Sequence, residues 1–94
     1  MNAELLIKEN QGSIVDVRSI EEFSGGHCAG SVNIPLHEIP QRITELKGMA
    51  QPLILCCASG GRSGQATAFL SQQGLSCINA GSWMDVNYFQ TLKN

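Results

Sequence analysis

The feature that most constrains this chain is a short apolar run near its middle. Pro52 opens the run 53–57, whose sequence LILCC contains no charged or strongly polar residue. A strand without alternation between apolar and polar residues is typical of a parallel sheet that helices cover on both faces. The run is far too short to span a bilayer. It therefore predicts a central, buried strand, and we expect no membrane partner.

Predicted strands and helices alternate on both sides of this run. The predicted strands are 13–17, 31–34, 53–57 and 75–79, and the predicted helices are 3–9, 19–23, 40–47, 63–73 and 82–89. The clearest helix start is Ser19 with Glu22 three residues later, the pattern of a capping box. Such alternation predicts an α/β fold. We expect a three-layer sandwich, with a parallel sheet of four or five strands and helices on both faces, formed by one domain over residues 1–94.

Charge and cysteine content narrow the classes of function. The 94 residues carry a net charge of −2 and six scattered Lys and Arg residues, so no basic stripe is available for a nucleic acid partner. The first residues lack the positive segment of a secretory signal, and we therefore expect a cytoplasmic protein. Because the four cysteines include no Cys-x-x-Cys pair, we predict no metal site and no disulfide, only small core thiols of which at most one is reactive. The cysteines are Cys28, Cys56, Cys57 and Cys77.

The end of the central run carries the strongest candidate site, because ligands bind beyond the carboxyl ends of parallel strands. The candidate residues are Cys57, Ala58, Ser59, Gly60, Gly61, Arg62 and Ser63. The two glycines permit positive φ, so that main-chain N–H groups can converge on an anion, and the following helix adds its N-terminal dipole. Arg62 is the only charged residue between Gly48 and Met84, and nothing near it in sequence neutralises it. We expect an anion-binding cradle in which the thiol ionises below its ordinary pKa of about 8.5. A cysteine that merely packs at such a junction is equally compatible with these residues.

Three segments resemble the rhodanese family, in order and at the family's spacing. Residues 57–63 (CASGGRS) are similar to the loop Cys-x-x-Gly-x-Arg-Ser. Residues 14–35 contain IVDVR, EF and GHCAGSVNIP, which resemble the upstream signature, and residues 75–83 resemble the closing segment before a tryptophan. Cys28 stands where the family has an apolar residue, and we expect it to be buried. Ala80-Gly81 stands where the family has two glycines.

The resemblance implies a thiosulfate sulfurtransferase (rhodanese). Cys57 would be catalytic: it would take the outer sulfur of thiosulfate, release sulfite and hold a persulfide until cyanide or a thiol removes that sulfur. The backbone amides from Ala58 to Ser63 and the Arg62 guanidinium would bind the anionic donor. The resemblance implies no cofactor. The expected partners are a small anionic sulfur donor and a thiol or cyanide acceptor, or a sulfur-accepting protein, and nothing in the sequence indicates more than a monomer.

Two alternatives stay open. Counted from Cys56, the chain reads Cys-x5-Arg-Ser, the spacing of protein tyrosine phosphatase loops and of related arsenate reductases. Against this, Leu55 stands where those phosphatases carry histidine, and a glycine falls third after Cys57, as in rhodaneses. The other alternative is a non-catalytic rhodanese-like binding module, in which the loop cysteine is usually replaced, whereas Cys57 is present here.

Other polar and aromatic residues receive structural interpretations. Under the resemblance, Asp16 and Arg18 brace the fold. We expect Arg18 to pair with Glu22 at the surface, since the two are four residues apart. His27 is expected to fix its loop through a hydrogen bond, and His37 to lie on the surface. The aromatic residues expected in the core are Trp83 and Tyr88.

Overall fold

A four-stranded parallel sheet lies at the centre of the structure, a computed structural model that describes residues 2–92. The strands are β1 (Ser13–Asp16), β2 (Val32–Asn33), β3 (Leu53–Cys57) and β4 (Cys77–Ser82), in the order β2-β1-β3-β4. Strand β3 is thus internal, as its apolar sequence predicts, and all five of its residues are buried. The predicted α/β class is confirmed, with four strands in the sheet.

Helices cover both faces of this sheet. They are α1 (Ala3–Lys8), α2 (Ile20–Ser24), α3 (Ile43–Lys47), α4 (Gly61–Gln72) and α5 (Trp83–Thr91), and a 3₁₀ helix, Leu36–Arg42, precedes α3. The helix predicted over 40–47 is therefore split: its first three residues belong to the 3₁₀ helix, and α3 begins at Ile43. The predicted capping box of Ser19 and Glu22 is present at the start of α2. Within residues 2–92, no helix has the length and apolar character needed to cross a bilayer.

The side chains of β3 divide between two apolar clusters. Leu53, Leu55 and Cys57 belong to a cluster with residues of α3 and α4. Ile54 and Cys56 belong to a cluster with residues of α1 and α5 on the other face. Because strand side chains alternate with period two, the two adjacent cysteines point away from each other. These clusters are the two interfaces of the predicted three-layer sandwich.

A bulge positions the end of β4 beside the central strand. The register pairs Leu55 with Asn79 but then Cys56 with Gly81, so Ala80 has no partner on β3. An extra residue of this kind changes the direction in which the following side chains point. Because β1, β3 and β4 run parallel, their carboxyl ends meet at one edge of the sheet. The loop that follows Cys57 lies at this edge.

Candidate active site

The sulfur of Cys57 lies at the focus of the loop that follows β3. Ala58 and Ser59, both exposed, lead into Gly60, and the chain then turns into α4. The Cys57 Sγ accepts hydrogen bonds from the Gly60 N–H at 3.0 Å, the Ser63 N–H at 3.4 Å and the Ser63 hydroxyl at 3.3 Å. Cys57 is only 1% exposed, so these donors replace water around the sulfur. The loop therefore forms a cradle of the kind that the sequence predicts.

Gly60 allows the backbone to curl over the sulfur. Its φ is +105°, in the left-handed region that favours glycine. A Cβ at Gly60 would also lie 3.3 Å from the Cα of Gly81 on β4, closer than ordinary packing allows. The Gly64 N–H donates to the Gly60 carbonyl at 2.9 Å, so the first turn of α4 holds this residue in place. Gly61, which we also expected to supply positive φ, instead begins α4.

These hydrogen bonds favour the ionised form of the thiol. Burial by itself raises the pKa of Cys57, because removal from water penalises the charged form. The Ser63 hydroxyl, the Ser63 N–H and the N–H groups of Gly60 and Ser59 act in the opposite direction and outweigh burial, so that the pKa falls to about 7. About half of the molecules therefore carry a thiolate at neutral pH. A thiolate is the form of cysteine that acts as a nucleophile.

Arg62 does not contact the sulfur but forms an ion pair with Glu22 across the mouth of the loop. Its guanidinium donates to both carboxylate oxygens, at 2.7 and 3.0 Å. The Glu22 carboxylate also accepts the Ser19 N–H within the capping box. The Arg62 hydrogen bond is the main reason that the pKa of Glu22 falls to about 2. The sequence shows no partner near Arg62, and the residue that does neutralise it lies 40 residues away in sequence.

The other buried thiols lie on the far side of the sheet. Cys56 and Cys28 share the cluster beneath α1 and α5. Burial raises the pKa of Cys56 strongly and that of Cys28 to about 11. The Cys28 thiol donates to the Trp83 carbonyl at 3.1 Å, so it is a buried core residue, as predicted. The Cys56 thiol therefore points away from the loop that contains Arg62. A phosphatase-like loop counted from Cys56 would need this thiol inside the cradle, so the arrangement argues against that alternative. Within residues 2–92, no group of three His, Cys, Asp or Glu side chains could hold a metal ion.

Asn79 of β4 is a residue of the site that the sequence analysis did not identify. Its Oδ1 accepts the Ser63 hydroxyl at 2.7 Å and the Gly81 N–H at 3.0 Å, and its Nδ2 donates to the Gly60 carbonyl at 3.1 Å. It therefore contacts both residues that donate to the Cys57 sulfur. One signal could have identified it: an amide within the otherwise apolar stretch 77–80, on a strand next to the central one.

Comparison with known proteins identifies the family. A family model described as the rhodanese-like domain matches residues 2–87. This chain belongs to the rhodanese-like family. It is 36% identical over 74 residues to the thiosulfate sulfurtransferase PspE of Escherichia coli, covering 77% of this chain and 71% of PspE. It is 39% identical over 68 residues to the uncharacterized protein YqhL of Bacillus subtilis, covering 72% of this chain but only 53% of YqhL, about half of that relative's length.

A solved structure shows the same fold. The rhodanese-related protein of Thermoplasma volcanium superposes with a TM-score of 0.79 at 30% identity, covering 94% of this chain and 88% of that one. The resemblance to rhodaneses and the predicted sandwich are both confirmed. Several of the sequence relatives, PspE among them, are named as sulfurtransferases.

A buried ion pair of the rhodanese-like domain joins the end of β1 to the segment that follows α2. Asp16 is fully buried and Arg18 is 4% exposed, and the guanidinium contacts both Asp16 carboxylate oxygens at 2.8 to 3.0 Å. Arg18 also donates to the Gly26 carbonyl at 2.7 Å and lies 4.7 Å from the centre of the Trp83 ring. The predicted bracing role is consistent with this arrangement. The predicted surface pair between Arg18 and Glu22 was wrong, because Arg18 turns inward to Asp16 while Glu22 faces Arg62.

The expectations for His27 and His37 were correct, and the expectation for the two aromatic residues was partly correct. His27 stacks on Phe23, with 3.7 Å between ring centroids, and its Nδ1 lies 2.7 Å from the Phe23 carbonyl oxygen, so it fixes the loop as expected. The His37 side chain is exposed, as predicted. Trp83 is half-buried against the cluster of α1 and α5. Tyr88, however, is 60% exposed, so its placement in the core was wrong.

Proposed function

We propose that this chain is a thiosulfate sulfurtransferase in which Cys57 carries the transferred sulfur as a persulfide. The observation that carries this proposal is the convergence of two N–H groups and one hydroxyl on the Cys57 sulfur. Donors fixed before the reaction stabilise negative charge without having to reorganise. A nucleophile that is ionised near neutral pH and held at the end of a rigid strand suits attack on a sulfur atom.

In the first step, the Cys57 thiolate attacks the outer sulfur of thiosulfate. A bond forms between Sγ and that sulfur, and the sulfur–sulfur bond of thiosulfate breaks. Sulfite leaves with the bonding electron pair, and the enzyme is left as a persulfide whose outer sulfur carries the negative charge. We assign stabilisation of this new charge to the groups that stabilise the thiolate, the N–H groups of Gly60 and Ser63.

In the second step, a nucleophilic acceptor removes the outer sulfur. Cyanide or a thiolate attacks that atom, the bond to Sγ breaks, and Cys57 returns to the thiolate, so no external oxidant or reductant is needed. Cys57 is almost fully buried, and this shields the intermediate from bulk solvent. A reducing cytoplasm, in which acceptor thiols are abundant, is compatible with four cysteines that are all free.

Arg62 supplies the positive charge at the mouth of the loop. In the structure Glu22 holds the guanidinium, so a dianionic donor competes with this carboxylate for the same hydrogen bonds. Arginine binds planar and tetrahedral oxyanions through paired N–H donors. We therefore assign donor binding to the Arg62 guanidinium together with the loop amides.

Intact mass spectrometry tests the proposal directly. Incubation with thiosulfate should add one sulfur, about 32 Da, and cyanide should remove it with formation of thiocyanate. Cys57→Ser should abolish the adduct, because a hydroxyl at this position does not form a persulfide.

Cys77→Ser is the matched control, since Cys77 is a partly buried thiol whose contacts are with Ser71 and Thr67 rather than with the loop. This variant should form the adduct as the wild type does. An adduct that persists in Cys57→Ser, or a wild type that gains no sulfur, would refute the proposed function.

A further inference from the structure

The buried hydroxyl of Ser63 lies between two acceptors. Ser63 is fully buried, and its Oγ lies 3.3 Å from the Cys57 sulfur and 2.7 Å from the Asn79 Oδ1. A serine hydroxyl has a single proton to donate. The two hydrogen bonds therefore compete, and only one of them can be fully formed at a time.

The orientation of the Asn79 amide is fixed by its other contacts. Its Oδ1 accepts the Gly81 N–H at 3.0 Å, and its Nδ2 donates to the Gly60 carbonyl at 3.1 Å. A flipped amide would set an NH₂ group against the Gly81 N–H and an oxygen against the Gly60 carbonyl. The acceptor atom of Asn79 is therefore held facing the Ser63 hydroxyl.

The charge on the cysteine sulfur decides between these acceptors. A thiolate is a charged acceptor, and hydrogen bonds to charged groups are roughly twice as strong as those between neutral groups. A thiol sulfur, or the inner sulfur of a persulfide, is a neutral and weak acceptor. The Ser63 proton should therefore turn to Cys57 when the sulfur is ionised, and to Asn79 when it is not.

We propose that Asn79 is a positioning residue that takes the Ser63 hydrogen bond whenever the Cys57 sulfur is uncharged and releases it to the sulfur when the thiolate forms. A buried hydroxyl thereby keeps a partner throughout the cycle, and leaving such a group without one is costly. Asn79 thus stabilises the thiol and the persulfide relative to the thiolate. The persulfide half of this proposal rests on the proposed function, whereas the competition between thiol and thiolate does not.

Asn79→Leu is the decisive substitution. Leucine is similar in size, so it occupies the same space, but it offers the hydroxyl no acceptor. Asn79 is exposed, and the Gly60 carbonyl keeps its hydrogen bond from the Gly64 N–H, so the turn should survive. Ser63 would then donate to Cys57 alone.

Two measurements report the effect of Asn79→Leu on the Cys57 sulfur. The midpoint of iodoacetamide alkylation of Cys57 against pH should fall by roughly half to one unit in Asn79→Leu, a 3- to 10-fold shift in the ionisation equilibrium. At a fixed ratio of thiosulfate to sulfite, the fraction of persulfide measured by intact mass should fall by a similar factor. Asn79→Asp, which offers Ser63 a charged acceptor, should shift the midpoint upward.

The double variant Ser63→Ala, Asn79→Leu shows whether Asn79 acts through Ser63. Its alkylation midpoint should equal that of Ser63→Ala alone. An unchanged or raised midpoint in Asn79→Leu, or an undiminished decrease in the Ser63→Ala background, would overturn the proposal. Because alkylation requires only a thiol, these results stand apart from the mass measurement on the wild type, which tests sulfur transfer itself.

Discussion

Removal of the Ser63 hydroxyl should make Cys57 a weaker acid by a measurable amount. The cradle lowers the pKa of Cys57 to about 7, and a lowered pKa is a free-energy preference for the thiolate over the thiol. Ser63→Ala keeps the Ser63 N–H and the Gly60 N–H but deletes the hydroxyl. Because this hydrogen bond is long, at 3.3 Å, and shared with Asn79, we assign it about one unit, or about 1.4 kcal/mol.

A rise to a pKa near 8 would leave about one tenth of the molecules ionised at pH 7, compared with about half in the wild type. The alkylation rate at pH 7 should therefore fall about fivefold, while the rate well above pH 9 should be unchanged. The assay is the pH dependence of iodoacetamide alkylation, with labelling of Cys57 followed by mass spectrometry.

Ser59→Ala is the control, because it changes an exposed hydroxyl of the same loop and keeps the Ser59 N–H. Its midpoint should match that of the wild type. If Ser63→Ala also titrates like the wild type, the hydroxyl does not stabilise the thiolate, and the ionisation must be attributed to the backbone alone.

Three further results are expected. Glu22→Gln should lower the KM for thiosulfate several-fold in steady-state kinetics, because it frees Arg62 yet keeps an oxygen for the capping box. Glu21→Gln is the control, since it removes an equal charge from the same helix. Equal effects of the two substitutions on KM would exclude a specific role for the ion pair. Asp16→Asn should reduce the free energy of unfolding by about 3 to 5 kcal/mol, since it leaves a buried guanidinium without its counter-charge. Urea denaturation measures this free energy, and a decrease below about 1 kcal/mol would contradict the bracing role. Brief alkylation of the native wild type at pH 7 should leave Cys28 unmodified, because burial raises its pKa to about 11; peptide mapping would show the opposite if the thiol were reactive.

Local sequence predicted the parts of the site that depend on neighbouring residues. The apolar run before Cys57, the glycine at position 60 and the capping box of Ser19 and Glu22 all express preferences that act over a few residues. These features predicted the sheet, the loop and the place of Cys57 at its start.

The ion pairs and the Asn79 contacts depend on how distant segments meet. Arg62 reaches Glu22 because α2 follows β1, the strand next to β3. The order of the strands in the sheet cannot be derived from the spacing of residues along the sequence. Arg18 turned inward because its neighbour Asp16 lies fully buried at the end of β1. The role of Asn79 depends on a bulge in β4, for which the sequence shows no simple rule.

Under the proposed function, the opposite orientation of the two adjacent cysteines determines how long a persulfide on Cys57 can persist. A thiolate at position 56 within reach of a loaded Cys57 could close an intramolecular disulfide and expel hydrosulfide, which would discharge the enzyme without an acceptor. Strand geometry separates the two side chains, and burial keeps the Cys56 thiol protonated. The proposed persulfide can therefore persist until an external acceptor removes the sulfur, instead of reacting with the thiol next to it in sequence.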